Sequence, residues 1–281
     1  MTHQTILERV VGVTAPVNYV AADSPRPVRY NYPPPPGVPV QSGRFVAEPV
    51  EIADARPIAD RFSLDRQGFA LVGHRSAFAD FRDAAAVRAR YLPESEAVVR
   101  AATGAERVVA FDFNVRSAAE AAAPGAVVKE PVRRVHNDFT DASGPRRAAA
   151  ELEAAGLDPA LIAGRRFALV NLWRPIRGPV QDSPLALCDA RTIADADFVI
   201  ADLLYPDRVG EIQQFRFNPA HRWYYFSAMR TDEALLIKCY DSARDGAARF
   251  TAHTAFDDPT TPAGAPPRES IEVRTVVIYG P

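Results

Sequence analysis

"RFALVNLWRPI", residues 166–176, decides the fold. It is a short run of apolar, β-branched and aromatic residues, stopped by Pro175, and it reads as a strand. Along it Asn171, Trp173 and Pro175 share one face, with Leu172 and Arg174 on the other. Seven further extended runs follow: "LALCDARTI", "FVIADLLY", "EIQQFRFN", "RWYYFSAM", "ALLIKCYDS", "ARFTAHTAF" and "SIEVRTVVIYG". Pro, Gly, Asp and Asn separate them. Many short strands at close spacing predict a sandwich or barrel.

The part of the chain before residue 157 is more mixed. "EPVEIADAR" and "GFALVGH" read as strands, and "ERVVAFDFNVR" as a strong one. Residues 76–92 carry Phe78, Phe81, Ala85, Val87 and Leu92 near helical spacing, with Ser76 placed to cap the start. "ESEAVVRAATG" predicts a second helix closed by Gly104, and residues 144–156 an Ala-rich third. These helices are expected outside the strands. Residues 117–127, "SAAEAAAPGAV", read as a mobile loop. Residues 1–45 look irregular, with "YNYPPPPGVP" an extended proline-rich arm able to drape over the core or a partner subunit. The expected organisation is therefore an arm over 1–45 and one domain over 46–281. Within that domain, 46–130 give support and about 131–281 the core.

Bulk properties exclude several classes. The chain has 281 residues, with 33 Lys plus Arg against 35 Asp plus Glu and no block of like charge. Nothing in that balance points to nucleic acid or a membrane surface. No apolar run is long enough to span a bilayer, and "MTHQTILERVVGV" lacks the apolar core of a signal peptide. Cys188 and Cys239 form no disulfide framework or zinc pattern, and a reducing cytoplasm is the simpler reading.

The chemistry centres on "RRVHNDFT", residues 133–140. In a strand His136 and Asp138 project together, with Asn137 turned away. One imidazole and one carboxylate are two-thirds of a 2-His-1-carboxylate facial triad, which leaves positions open on Fe(II). The pair alone is a weak signal and equally fits a strand-end histidine beside a turn-forming aspartate. The third ligand must come from His3, His74, His221 or His253. His3 lies in the irregular terminus, and His74 suits a capping or surface role. In a double-stranded β-helix the distal histidine precedes a last strand whose basic residue binds a dicarboxylate. "PRESIEVRTVVIYG" supplies Arg268 and Ser270 on one strand face, with Arg274 in the same parity. A guanidinium fork matches a carboxylate bidentately. His253 stands close enough before Arg268 for a loop plus a strand, and His221 too far, so spacing favours His253. Asn171 is placed to reach a cosubstrate or a water near iron, or to sit satisfied in a barrel wall. Lys238 is a surface lysine or meets an acid inside.

Taken together, "EIADAR", "SLDRQGFALV", "VHNDFT", "NLWRPIRGPVQDSPLALCDARTI", "HRWYYFSAMRTDEALLIKCYDS", "AHTAFDDP" and "RESIEVR" resemble the cephem-hydroxylase-like, gibberellin-desaturase-like family. The resemblance runs from about residue 50 to the end. It implies a nonhaem Fe(II), 2-oxoglutarate-dependent oxygenase of secondary metabolism. The implied fold is mainly β with flanking helices around a double-stranded β-helix, or jelly-roll, cupin-like core. By its motifs His136, Asp138 and His253 would be the metal and catalytic residues. Arg268 with Ser270 would bind 2-oxoglutarate, and Arg274 and Asn171 are further cofactor-binding candidates. The expected reaction is hydroxylation or desaturation of a small organic substrate with O2, and a homodimer is compatible with the arm. At Phe113 the family pattern suggests a polar residue or histidine, so that position is expected to shape the substrate pocket. Two alternatives stand beside this reading: the same iron triad working without 2-oxoglutarate, and a metal-free β-sandwich binding protein.

Overall fold

Strand β7 (Phe167–Pro175) is buried at every position. The computed structural model, which describes residues 11–121 and 128–280, shows why. β7 lies in the middle of a five-stranded sheet ordered β4–β12–β7–β14–β5. Its companions are β4 (Phe69–Gly73), β12 (Glu233–Asp241), β14 (Glu269–Ile278) and β5 (Arg107–Ser117). Strand side chains alternate between faces, and here both faces are covered. Leu169, Trp173, Leu235, Ile237 and Val276 join Tyr224 of the second sheet and the adjoining Phe226 in an inner core. Val170, Leu172, Leu236 and Val273 pack under Phe81, Tyr91 and Val99 on the outer side.

The second sheet has nine strands. In order across it they are β1 (Gly12–Val20), β3 (Phe45–Asp54), β11 (Trp223–Tyr225), β8 (Leu185–Cys188), β13 (His253–Ala255), β6 (His136–Asn137), β10 (Val209–Phe215), β9 (Phe198–Leu204) and β2 (Val28–Tyr30). Apart from the β9–β10 hairpin, the neighbours in this sheet are non-consecutive strands, as in a jelly roll. Two facing sheets with helices outside make the expected mainly-β core.

Several elements differ from the sequence reading. The segment 1–45 is no simple arm: β1 pairs antiparallel with β3 along its whole length, and β2 pairs with β9. The alternating burial of Ala15, Val17 and Tyr19 holds β1 down. The proline run is a loop that turns back on β2, with Tyr30 N–H donating to Val40 O and Ser42 N–H to Val28 O. The core likewise extends beyond 131–281, since β1, β3, β4 and β5 all enter the sheets. Residues 76–83 are not helical. Ser76 Oγ accepts only from Phe78 N–H, and Asp83 caps instead, accepting from Ala85 and Ala86 N–H. From there α1 (Ala84–Ala86) passes through a π turn at Val87–Tyr91 into α2 (Leu92–Thr103), closed by left-handed Gly104. A short α3 (Ala118–Ala121) begins the segment expected to be a mobile loop, and residues 122–127 lie outside the described residues. α4 (Ser143–Ala154) falls where the Ala-rich helix was expected. Phe113 belongs to the outer, helix-side layer, under the Arg88 guanidinium. It therefore does not line the space between the sheets.

Candidate metal centre

β6 holds only two residues, and its position puts three ligand types together. His136 pairs with His253 of β13 on one side and with Gln214 of β10 on the other. The two imidazoles lie 4.3 Å apart between centroids, inclined at 51°. Asp138 follows, and ligand atoms of His136, Asp138 and His253 all lie within 4.8 Å of one another. Asn137 does not join them: its amide donates to the carbonyls of Phe139 and Cys239, locking β6 to β12.

Each of the three has its other polar atom engaged elsewhere. His136 Nδ1–H donates to Arg134 O at 2.8 Å, and His253 Nδ1–H to Thr251 O at 3.2 Å. Both Nε2 atoms are then left with lone pairs, and His253 Nε2 is buried with no partner among the described residues. Asp138 Oδ2 accepts from Asn171 Nδ2 and Arg274 Nε, each at 2.8 Å, which leaves Oδ1 directed toward the histidines. An unpaired buried nitrogen costs free energy unless something fills its lone pair. A divalent cation does so, and the donor set fits Fe(II).

The electrostatics prepare the ligands in the forms a metal needs. Burial, then repulsion from His253, pushes His136 down to about 3, so its imidazole is neutral near pH 7. Burial alone would raise Asp138, but Arg274 and the two histidines outweigh it and hold the carboxyl far below its ordinary range. Arg274 is held above its ordinary value in return. Burial opposes its charge, and Asp138, Glu272 and Asp112 more than compensate.

Of the four cofactor-binding candidates, the structure separates two pairs. Asn171 and Arg274 both grip Asp138. Arg274 directs Nε to Asp138, Nη1 to Asp112 at 2.9 Å and Nη2 to Glu272 at 3.1 Å, so its whole fork is occupied by acids. Arg268 and Ser270 remain. Both are buried, and Arg268 Nε and Ser270 Oγ have no partner among the described residues. The Arg268 guanidinium lies 5.4 Å from the Trp173 ring centroid and also donates to Ser183 O. Burial, then Arg116 and Arg133, pushes it down to about 9, which still leaves it charged at neutral pH.

The remaining histidines and special residues are elsewhere. His74 is buried, contrary to a capping or surface role: it stacks on Tyr91 and meets Glu94 Oε1 at 2.7 Å. His221 bonds Asp197 and the Tyr19 hydroxyl. Lys238 is fully buried against Asp241 and Asp65. Cys188 and Cys239 are free and buried. Sequence reasoning missed Asp112, Glu272 and Arg116 around the site. Glu272 shared the parity of Ser270 and Arg274, a usable signal. Asp112 and Arg116 depend on the β5–β14 register, which no local pattern carries.

Residues 17–278 match the family described as Oxidoreductase/YMDC permease-like domain. Among the described residues no helix is long and apolar enough to cross a membrane. The chain is similar to the Fe(II)/2-oxoglutarate-dependent dioxygenase nvfI of Aspergillus novofumigatus, at 37% identity over 89% of this chain and 90% of that one. It is 34% identical to the alpha-ketoglutarate-dependent dioxygenase phiK of a fungal species, over 85% and 88% of the two chains. It is 31% identical to the hydroxylase/desaturase efuI of Hormonema carpetanum, over 84% and 85%. A solved structure of the iron and alpha-ketoglutarate-dependent endoperoxidase NvfI superposes with a TM-score of 0.86 at 32% identity, covering 97% of this chain and all of that one.

Proposed function

Because this chain belongs to the family of Fe(II)/2-oxoglutarate-dependent dioxygenases and hydroxylase/desaturases, we propose that His136, Asp138 and His253 hold its iron and that Arg268 with Ser270 receives the far carboxylate of 2-oxoglutarate. The protein is an oxidoreductase that uses O2 to hydroxylate or desaturate a small organic molecule of the secondary-metabolite kind. One observation carries the site assignment. Three neutral-or-anionic donors converge within 4.8 Å, each with its second polar atom tied off by the protein.

Bound iron with 2-oxoglutarate and O2 supplies the oxidising power, and the chain supplies placement. The carbonyls of Arg134 and Thr251 fix both histidine tautomers, so Nε2 faces inward. Asn171 and Arg274 occupy one Asp138 oxygen and keep the carboxylate to one donor atom, which preserves open positions on the metal. They are positioning residues in this reading and not cosubstrate ligands. Arg268 and Ser270 offer a fork and a hydroxyl, the complement of a carboxylate. Trp173 and the buried sheet faces around it exclude water.

The test is anaerobic addition of Fe(II) and 2-oxoglutarate, watched for the weak visible charge-transfer band of the chelate. The wild-type protein shows the band, and Arg268→Ala requires far more 2-oxoglutarate to reach it. Loaded iron with no band at any 2-oxoglutarate concentration defeats the assignment. Two coarser proposals accompany it. The free buried thiols suit a reducing cytoplasm. A homodimer would find apolar surface at Val38, Val40 and Val46.

A further inference from the structure

β2 ends one sheet and β5 ends the other, and the cations between these two edges have no acid of their own. Arg116 stands directly across from Ser270 in the β5–β14 ladder, which sets their Cβ atoms about 5 Å apart on one face. That face carries Ser270, Glu272 and Arg274. Lys129 bridges to Arg116 through the backbone. Arg134 precedes His136 by two residues and forms an isolated bridge with Asn18 of β1. Its guanidinium stacks 4.5 Å from the Phe45 ring centroid and donates to Gln41 Oε1. Gln41 bridges in turn to Arg29 on β2.

Among the described residues none of these four makes an ion pair with a carboxylate. Arg116 Nη1 donates to Glu130 O at 2.9 Å, and Lys129 Nζ reaches only Asn114 Oδ1 at 3.5 Å. The nearby acids are committed: Asp138, Asp112 and Glu272 all sit on the Arg274 fork. Burial lowers Arg116 and Lys129 below their ordinary values: Glu272 and Asp138 pull Arg116 back up while Arg274 and Arg29 push it down, and Arg116, Arg274 and Arg29 push Lys129 down against Asp112. The charges around the site leave a positive excess. Three carboxylates balance Arg274 and a divalent ion. The two charges of 2-oxoglutarate exceed Arg268 by one. Asp182 beside Arg268 adds one more negative charge, and Arg29, Arg116, Lys129 and Arg134 still outweigh these remainders by two, in a chain whose net charge is −2.

We propose that this cationic mouth selects an organic carboxylate as the primary substrate, docking its anionic end while the rest of the molecule extends toward His136, Asp138 and His253. Guanidinium forks recognise a carboxylate through paired hydrogen bonds, and partly desolvated ones do so with more selectivity than exposed ones. The proposal rests on the oxygenase reading of the metal centre, and its failure is separable from the failure of that reading.

The experiment uses the full chain loaded with Fe(II), saturated with 2-oxoglutarate and kept anaerobic. The probes are 4-(trifluoromethyl)phenylacetate and its primary amide, which differ in charge and little in shape. The readout is paramagnetic broadening of the fluorine resonance. The expected result is strong broadening of the acid, little of the amide, and about tenfold weaker acid binding in Arg29→Gln/Lys129→Gln, whose side chains are exposed. Arg116→Gln loses the acid and Arg116→Lys recovers part of it. Equal broadening of acid and amide, no broadening of either, or acid binding unchanged in the double variant overturns the proposal. Displacement of the acid by excess 2-oxoglutarate also overturns it, because the acid then occupied the Arg268 clamp. The chelate band, recorded on the same sample, reports separately on the oxygenase reading.

Discussion

At the scale of single residues, the centre is a set of atoms each kept from doing anything else. His253 Nε2 has no partner among the described residues, so His253→Ala and His136→Ala are expected to abolish stoichiometric Fe(II) binding, measured by metal analysis after desalting. Arg274 offers a finer test. Arg274→Lys keeps the charge and loses the fork that engages Asp138, Asp112 and Glu272. A loss of about 10–100-fold in Fe(II) affinity is expected, read by chelator competition, with the 2-oxoglutarate requirement of the loaded protein little changed. A large rise in that requirement instead would return Arg274 to the cosubstrate. The His-x-Asp pair was legible because strand periodicity alone puts both side chains on one face. The partners of Arg274 were not, because cross-strand register decides them. His74 was misread for a similar reason. Its burial comes from stacking on Tyr91, a residue of the π turn that helical spacing had placed in a continuous helix.

At the scale of elements, the central strand carries the fold. Leu172 is fully buried in the outer layer, and Leu172→Ala is expected to cost about 2–5 kcal/mol in denaturant unfolding. The turn before β4 matters differently. Gly68 has φ +88°, and a Cβ there would collide with Thr251 Oγ1, which donates to Gly68 O. Thr251 O is the acceptor that orients His253. Gly68→Ala should therefore lower stability by about 1–3 kcal/mol and also weaken metal binding, a pairing that the Leu172 variant should not show. The strands of the C-terminal half were readable because short apolar runs between breakers admit few other conformations. The helix over 76–92 was overextended because the apolar spacing of Phe78 and Phe81 is satisfied by packing under β7 without helical backbone, and Asp83 supplies the cap that Ser76 does not.

For the whole molecule, two histidines outside the candidate metal centre add to the response to acid. His74 and His221 are both lowered from their ordinary value, mainly by burial, against the pull of Glu94 and Asp197 respectively. Their charging is disfavoured in the folded state, so below about pH 6.5 the unfolded chain binds more protons. The stability they contribute is present above that pH and is lost as pH falls toward their depressed folded values. Thermal midpoints are expected to drop between pH 7.5 and 5.5, and less steeply in His74→Gln. A midpoint that rises over the same interval contradicts this account.

The proline loop has a consequence for how these molecules meet one another. β2 closes its sheet, and the chain from Val40 to Ser42 folds back to occupy its outer hydrogen-bonding groups. The backbone beyond that return contains Pro33, Pro34, Pro35, Pro36 and Pro39, which have no N–H to offer a further strand. The sheet is thus sealed against edge-to-edge growth at its β2 end, the route by which β-rich proteins form aggregates. Any association of two copies at that end must proceed through side chains. Replacing residues 33–36 with threonine should leave iron binding intact and shorten the lag before aggregation on mild heating, followed by light scattering.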